Sequence, residues 1–200
     1  MGVPAENRAM LTTGSPNYYS GSNNPAAILA PHRGIMFPNQ PSITYNQSVN
    51  YSPYELVHTN YTVQAYRNTP SPTISLTAEF AQVTDEEHLY LQGVIHFLRS
   101  VTKMYYGKNE GNNPRAGTPP PVLRFSAYGN NIFSNIPVII TDFNLTFDNM
   151  VDLKTFAGQS LPTMQQITMS LMVQQSPARQ KNDFSLAGFV SGSLYGGGFI

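Results

Sequence analysis

Strict alternation of apolar and polar positions predicts three β-strands in this chain. The clearest case lies between Thr73 and Ala81, where every second side chain is apolar. Two further segments, within 123–127 and 165–174, repeat the pattern. A period of two is typical of a strand with one buried and one exposed face. The predicted buried positions are Ile74, Leu76, Ala78, Phe80, Leu123, Phe125, Ala127, Ile167, Met169, Leu171 and Val173.

Two weaker alternations predict further strands. One lies in the segment VHTNYTVQAY (57–66), where apolar residues alternate with polar ones from Tyr61 onward. The other follows Pro137, which should begin its strand or lie on a sheet edge because it lacks a backbone donor. A turn containing Gly129 joins this strand to the preceding one as a hairpin. On one face of the later strand we place Ile139, Thr141, Phe143, Leu145 and Phe147.

The pattern changes to the period of a helix in residues 84–107. Thr84, followed three residues later by Glu87, forms a capping box, and acidic residues fill the first turn, where the helix dipole favours them. Gly107 is predicted to cap the C-terminal end. The helix has a broad apolar face that should pack on a sheet. This face comprises Leu91, Val94, Ile95, Phe97, Leu98, Val101, Met104 and Tyr105.

Residues 1–55 differ from the rest, because prolines recur there and neither period holds. Proline favours extended backbone and cannot donate to a strand ladder. We interpret 1–55 as an extended N-terminal arm that docks aromatic side chains on a surface; a loose terminus is the alternative for 1–30. Regular structure then begins near Leu56, and 56–200 form one domain. Deleting 1–31 should leave that domain folded.

The remaining segments complete the expected architecture. Residues 148–162 are interpreted as a connector, and the tail 184–200 is rich in glycine but apolar. The order is therefore an arm, strands, one long helix and more strands. It predicts an α+β fold with mainly antiparallel β-structure and one helix packed on a sheet or barrel.

Composition narrows the possible functions. Charged residues make up 11% of the chain and the formal net charge is zero, whereas an average soluble domain has roughly 25% charged residues. This balance argues against a general nucleic-acid binder. We interpret the surface as one that other chains cover, with an ordinary low-charge β-protein as the alternative. The chain has no cysteine, which excludes disulfides and thiolate chemistry. It has no signal-peptide pattern and no apolar run long enough to span a bilayer.

Candidate catalytic and metal-ligating residues are few and scattered. His88 and His96 share the helix but lie two turns apart, and no HExxH motif occurs. The aspartates that follow Asp142 lack the spacing of a calcium loop. We therefore predict no enzyme, no cofactor and no metal site. Two alternatives stay open: a nucleic-acid-binding β-barrel that uses exposed tyrosines, and a carbohydrate-handling enzyme that uses Asp142 or Glu79.

Six segments together resemble the baseplate tail-tube junction proteins, or tube initiators, of contractile-tailed bacteriophages. Their order and spacing match the family's opening, helix, central hairpin and ending, and the likeness covers roughly residues 32–200. The segments are HRGIMFP (32–38), YELVHTNYTVQAYRNTPSPTISLTAEF (54–80), HLYLQGVIHFLRSVTKMYYG (88–107), PPPVLRFSAYG (119–129), FSNIPVIITDFNLTF (133–147) and FVSGSLYGGGFI (189–200).

This resemblance implies a tail-tube fold, which is a β-sandwich or barrel with one long helix. Each subunit would contribute strands to a hexameric β-barrel ring. The ring would cap the baseplate hub and initiate polymerisation of the tail tube, so the protein would belong to the virion, in the tail baseplate, after assembly in the host cytoplasm. The alternative is the major tail tube protein, or a related tube-ring protein of a contractile injection system, because these share the fold.

The resemblance also implies a set of partners. They are further copies of the chain in a homo-hexamer, the tail tube protein, the baseplate hub protein or a second junction ring, the tape-measure protein in the lumen, and baseplate wedge or sheath proteins. DNA would pass through without specific binding, and no membrane is involved. We expect the contacts to come from the helix, the 108–121 loop and the arm. The expected subunit or ring interface comprises Arg33, Phe37, Tyr54, Tyr66, Lys108, Arg115, Tyr128, Asp142 and Phe199.

Overall fold

A seven-stranded antiparallel sheet forms the body of the protein, in the order β2-β1-β7-β8-β11-β6-β3. The structure is a computed structural model that describes residue 4 and residues 7–107, 116–129, 132–147, 151–156 and 159–200; at positions 156, 159 and 161 it describes the backbone alone. The sheet strands are β1 (Met10–Thr12), β2 (Gly34–Met36), β3 (Ser42–Asn46), β6 (Thr73–Ala81), β7 (Leu123–Ala127), β8 (Phe133–Thr146) and β11 (Met164–Val173).

Two separate hairpins and several helices complete the fold. The hairpins pair β4 (Asn50–Tyr54) with β5 (Val63–Asn68), and β9 (Leu153–Phe156) with β10 (Gln159–Pro162). The helices are α1 (Asp85–Val101), α2 (Pro177–Asn182) and α3 (Leu186–Val190), with 3-10 helices at Pro16–Tyr18, Pro25–His32 and Tyr195–Gly197. The described part of the chain is therefore α+β with antiparallel strands, as the sequence predicts.

A short connection forces the sheet to fold over on itself. Strands β2 and β3 lie at opposite edges, yet only residues 37–41 join them. Six extended Cα steps reach at most about 22 Å, whereas the edges of a flat seven-stranded sheet lie about 29 Å apart. Aromatic contacts across the interior agree with this, since the ring centroids of Phe37 and Phe80 are 6.1 Å apart.

Strand β8 is the corner at which the sheet folds. Its first part, from Phe133 to Val138, pairs with β7, and the part from Val138 to Thr146 pairs with β11. Strands that pass between two layers commonly carry bulges, and both ladders of β8 shift register. Within the described residues β2 and β3 do not pair with each other, so the sheet remains an open sandwich-like structure and not a closed barrel.

Alternation and helical period predict the central elements correctly. The predicted apolar positions of β6, β7 and β11 are all buried, and they form one core with buried residues of α1. The capping box of α1 is present, because Thr84 Oγ1 accepts from Glu87 N at 3.3 Å and Glu87 Oε2 accepts from Thr84 N at 2.9 Å. The helix ends at Val101, so the prediction that Gly107 caps it is wrong.

The N-terminal segment is part of the core, which corrects the expectation that regular structure begins near Leu56. Strand β1 lies between β2 and β7, and Leu11 and Leu29 are fully buried. The boundary at residue 55 falls in the connection between β4 and β5. Deleting 1–31 would remove β1 from inside the sheet and Leu29 from the core, so the structure favours loss of the fold over the predicted survival of the domain.

Strand β8 does not keep the predicted face. Asp142 lies opposite Ser170 while Ile140 lies opposite Leu171, which leaves Thr141 as an extra, bulged residue. A bulge reverses the facing of the residues that follow it, so Ile140 and Phe143 lie on the same side as the buried partners Leu171 and Met169.

Pro137 also departs from its predicted edge position, because it lies within the central strand β8. Its carbonyl accepts from Gln174 N at 2.9 Å, on the side where β11 has already ended at Val173. The backbone groups of one strand residue point to the same side. The missing donor of Pro137 therefore lies opposite Gln174, at the end of the β8–β11 ladder, where the proline removes no bond from inside the ladder.

Two other expectations are corrected by the hairpins. Strand β5 is exposed on both faces instead of half-buried, because β4 is its one partner among the described strands. The connector predicted at 148–162 contains β9 and β10.

Candidate assembly surface

One edge of the main sheet is closed by a side chain of α1. Phe37 N bonds to Ala9 O at 3.0 Å, towards β1, so the preceding residue, Met36, directs its backbone groups outward. Tyr90 Oη donates to Met36 O at 2.7 Å and accepts from Met36 N at 2.9 Å. Burial raises the pKa of the Tyr90 phenol above its ordinary value, which keeps the hydroxyl protonated. A neighbouring strand therefore cannot pair with β2 at Met36.

The opposite edge, at β3, is open. The even-numbered residues of β6 direct their backbone groups at β11, as the bond from Val173 N to Pro72 O at 3.0 Å shows. The odd-numbered residues of β6 therefore bond to the even-numbered residues of β3. Ile43 and Tyr45 direct their N–H and C=O groups outward, and no partner for them occurs among the described residues. An unpaired edge of this kind is a template for another strand.

The exposed face of four adjacent strands is polar and nearly uncharged. On β3, β6, β11 and β8 the residues that face away from the core align in rows across the sheet, and none of these strands contains Lys, Arg or His. Glu79 and Asp142 are the two charged residues of the face. The polar rows are Ser42–Thr77–Thr168–Asn144, Thr44–Ser75–Ser170–Asp142 and Glu79–Gln166–Thr146. Apolar side chains occur only at the two ends of this face, in the row Asn46–Thr73–Met172–Ile139 and in the pair Ala81–Met164.

The β4–β5 hairpin follows directly after the open edge and carries aromatic residues on both faces. Every residue of its two strands is exposed except Ser52, which is half-buried. Tyr51 and Tyr66 pair on one face, with ring centroids 6.1 Å apart, and Tyr54 lies opposite Val63 on the other. We define residues 55–62, which connect the strands, as the hairpin tip. Val57 and Tyr61 in this tip are 83% and 88% exposed.

An apolar pocket of about 440 Å³ opens beside the β3 edge. The Phe133 ring lies within it, 6.4 Å from the Tyr45 ring. Among the described residues no charged side chain lines this pocket, and most of its other walls come from the C-terminal segment. Partial burial raises the pKa of the Tyr45 hydroxyl. Residues lining the pocket include Tyr45, Ile132, Phe133, Phe189, Tyr195 and Ile200.

The C-terminal wall of the pocket is fixed by contacts with α2. Arg179 Nη2 donates to Gly197 O and Gln175 Nε2 donates to Gly198 O, both at 2.5 Å. The Arg179 guanidinium lies 5.1 Å from the Phe199 ring centroid, and the Phe184 ring is 5.7 Å from it on another side. A cation over an aromatic face is attracted to it, so the pocket wall is held without any partner.

The structure places five of the predicted interface residues on the surface. Tyr54 and Tyr66 lie together on the β4–β5 hairpin, and Tyr128 lies in the connection between β7 and β8. Asp142 lies on the polar face, at the bulge of β8. Arg33 follows the 3-10 helix Pro25–His32 with φ of 55°. Apart from the hairpin pair, these residues lie on different elements, and their interface role stays a prediction.

The other four predicted interface residues are either buried or outside the described residues. Phe37 has no exposed surface because it packs inside the folded sheet, so it offers nothing to a neighbour in this conformation. Phe199 is 7% exposed and forms part of the pocket wall. Lys108 and Arg115 lie outside the described residues.

Sequence reasoning missed the tip residues and the role of Tyr90. The alternation places Tyr61 at the start of a strand and assigns no role to Val57, although the segment 55–62 contains His58, Thr59 and Asn60, which are typical of a turn. The bonds of Tyr90 to Met36 depend on a contact between residues 54 positions apart, for which a single sequence carries no signal.

The structure separates the two carboxylates that the sequence offers as a candidate catalytic pair, Glu79 and Asp142. The described residues contain no group of three or more His, Cys, Asp or Glu that could hold a metal ion. Glu79 on β6 aligns with Thr146 on β8, two strands away across the sheet. Asp142 lies on β8 as well, four residues before Thr146. At ordinary strand spacings, Glu79 and Asp142 are therefore about 16 Å apart. Cooperating carboxylates of glycosidases are at most about 9.5 Å apart.

His88 has a structural set of hydrogen bonds. Gln82 Nε2 donates to Pro162 O at 3.2 Å, which directs Gln82 Oε1 at His88 Nδ1, 2.6 Å away. Gln92 Nε2 lies 2.7 Å from His88 Nε2. These directions assign the proton to Nδ1 and make Nε2 an acceptor. His88 therefore links the start of α1 to Gln82, which in turn bonds to Pro162 at the end of β10.

Comparison with protein-family models and with curated proteins finds no match to this chain. Among the described helices, none is both long and apolar enough to cross a membrane.

Proposed function

We propose that this chain is a structural protein of a contractile tail, which forms a hexameric ring at the junction of baseplate and tail tube. The tail-tube fold, with a β-barrel shared between subunits, is part of this proposal. The resemblance of residues 32–200 to tube initiators provides the family. The observation that carries the proposal is the polar four-strand face that ends in the open edge of β3.

The two edges of the sheet are suited to different roles in a ring. Tyr90 blocks β2 at Met36, so we assign the strand that extends the sheet beyond β3 to another element of a neighbouring copy. The β4–β5 hairpin lies outside the core, and its outer edges pair with no other strand of the described residues. A contact between two different surfaces generates a ring when its rotation closes, and closure removes the free edges.

The polar face suits the wall of a water-filled lumen. Its rows of hydroxyl and amide groups would bond to the water of such a lumen, while the opposite face packs with α1 in the core. Its four strands contain no Lys or Arg, and binding of nucleic acid depends mainly on cations that neutralise phosphates. DNA would therefore pass along this face without being held. The same feature disfavours the alternative of a nucleic-acid-binding barrel.

The test uses a variant that closes the β3 edge without unfolding the chain. Ile43→Pro removes an outward N–H, and proline is tolerated at such edge positions. Ile43→Ala removes the same side chain but keeps the donor, so it is the matched control. Native mass spectrometry and negative-stain microscopy should show hexameric rings for the wild type and for Ile43→Ala, and monomers for Ile43→Pro, with equal circular dichroism.

Two results would contradict the proposal. Rings formed equally well by both variants would show that the β3 edge takes no part in assembly. A wild-type chain that remains monomeric as its concentration is raised, or that forms only dimers, would contradict the ring itself.

A further inference from the structure

The apolar pocket beside β3 has the size and lining of a site for side chains of another molecule. Its volume of about 440 Å³ lies within the range of about 300–1,000 Å³ found for sites that bind organic groups. Such sites usually carry a few polar groups that orient a small ligand. Here the Tyr45 hydroxyl is already bonded to Gln47 Oε1 at 2.7 Å, and none of the described residues brings a charged side chain to the pocket. This lining favours an apolar or aromatic occupant.

The hairpin tip offers such a group. Leu56, Val57 and Tyr61 lie within eight residues of each other, and Tyr61 has the largest exposed fraction of the large apolar side chains that the structure describes. Exposed apolar groups that lie close together are typical of interaction sites. The tip is held out by the ladder of β4 and β5, so these side chains remain exposed while the hairpin is formed.

The tip does not occupy the pocket of its own chain. Val57 and Tyr61 are 83% and 88% exposed, and the residues that line the pocket include none from 55–62. The ladder of β4 and β5, which ends with the pair of Tyr54 and Val63, holds the hairpin in this conformation. Contact between tip and pocket in this conformation therefore requires two molecules.

We propose that the hairpin tip of one copy inserts Tyr61 and Val57 into the apolar pocket of the next copy. This inference rests on the proposed ring. Tyr45 links the two surfaces, because its backbone faces the open edge and its side chain lines the pocket. A neighbouring hairpin that pairs with β3 therefore arrives beside the pocket. Every copy carries one tip and one pocket, which is the head-to-tail contact that a closed ring needs.

Cross-linking tests this contact, because the chain has no cysteine of its own. Val57→Cys in one preparation supplies a thiol at the tip, and Ile132→Cys in a second supplies one at the pocket rim, where Ile132 is exposed. The two proteins are mixed and oxidised or treated with a short bis-maleimide. Cross-linked dimers should form in the mixture and be at least tenfold rarer in either protein alone.

Two mixtures serve as matched controls. Leu153→Cys, an exposed position on the β9–β10 hairpin, replaces the tip variant, and Val122→Cys, an exposed position outside the pocket, replaces the rim variant. Neither mixture should cross-link above the level of single variants. Native mass spectrometry of the same samples reports whether rings are present.

The readouts separate the two proposals. Rings without a cross-link between positions 57 and 132 would overturn the tip contact and leave the ring intact. A chain carrying both cysteines that cross-links within itself, or a small molecule retained in the pocket by native mass spectrometry, would also overturn it. Absence of rings in every sample would overturn the proposed function and, with it, this contact.

Discussion

The hydroxyl oxygen of Tyr90 lies 2.9 Å from the backbone nitrogen of Met36 and 2.7 Å from its carbonyl oxygen. One side chain of α1 thus satisfies both outward backbone groups of Met36, at the end of β2. Without Tyr90, these groups would be unpaired, as those of Ile43 and Tyr45 are at the β3 edge within the described part of the chain. The asymmetry between the two edges is the basis of the proposed head-to-tail assembly.

Tyr90→Phe should destabilise the fold and open the second edge. The ring volume is kept, but two backbone groups lose their partner, which costs about 1–3 kcal/mol when they are poorly hydrated. Chemical denaturation measures the free energy of unfolding, and light scattering should detect new self-association, since an unprotected edge pairs readily. Tyr106→Phe, at an exposed position, is the control. Equal stability of Tyr90→Phe and the wild type would show that the two bonds contribute nothing.

Glu87 should make the stability depend on pH in the acid range. Hydrogen bonds from the backbone of Val83 and Thr84 hold the pKa of Glu87 below its ordinary value. The folded state therefore favours the carboxylate, so its stabilisation is present above the ordinary glutamate pKa and is lost as pH falls through the lowered pKa. Between about pH 5 and pH 3, the denaturation midpoint of Glu87→Gln should fall less than that of the wild type. Parallel curves would contradict this role.

Gly93→Ala should destabilise the protein, although alanine favours helix by about 1 kcal/mol. A Cβ at this position would lie 2.7 Å from Ile28 Cγ2 and 2.9 Å from Pro25 O, where α1 crosses the 3-10 helix Pro25–His32. Overpacking of this kind costs about 1–3 kcal/mol. Gly196→Ala has open space around it and should be neutral. A stabilised Gly93→Ala variant would mean that the two helices separate easily.

Phe97→Ala should lower the free energy of unfolding by about 3–5 kcal/mol, the usual cost of removing a buried phenylalanine ring. Phe97 is fully buried in the core, whereas Leu89 on the same helix is exposed, so Leu89→Ala is the control and should cost less than about 1 kcal/mol. If Phe97→Ala lowered the free energy of unfolding by only about 0.3 kcal/mol, far below the usual cost of removing a buried ring, the Phe97 ring would lie outside the core.

The sequence predicts the central elements because their signals are local and long. Nine residues of β6 and seventeen of α1 repeat their period several times. Strands β1 and β2 have three residues each, too few for a period, and their place in the sheet depends on contacts with distant strands. Proline-rich sequence around them suits edges and bends as well as extended arms, and this explains the misinterpretation of residues 1–55.

The candidate surface is harder to predict for a physical reason. Period-two alternation in 57–66 indicates a strand but does not indicate which element covers its apolar face. Among the described strands β5 pairs with β4 alone, and both of its faces are exposed. The facing of Ile140 depends on the bulge at Thr141, which moves the apolar pattern by one residue. Tyr54 and Tyr66 were predictable as exposed aromatic residues. Phe37 is also an aromatic residue in proline-rich sequence, yet it is fully buried, so residue type alone does not separate the exposed from the buried aromatics.

The most direct test of the proposed function is the number of copies of this chain in purified contractile-tailed particles of its source. Quantitative mass spectrometry would scale the chain against sheath, tube and hub proteins. A single junction ring predicts about six copies per tail, as closed six-fold symmetry requires. Copies by the hundred would identify the tube itself, and absence from the particles would contradict the account.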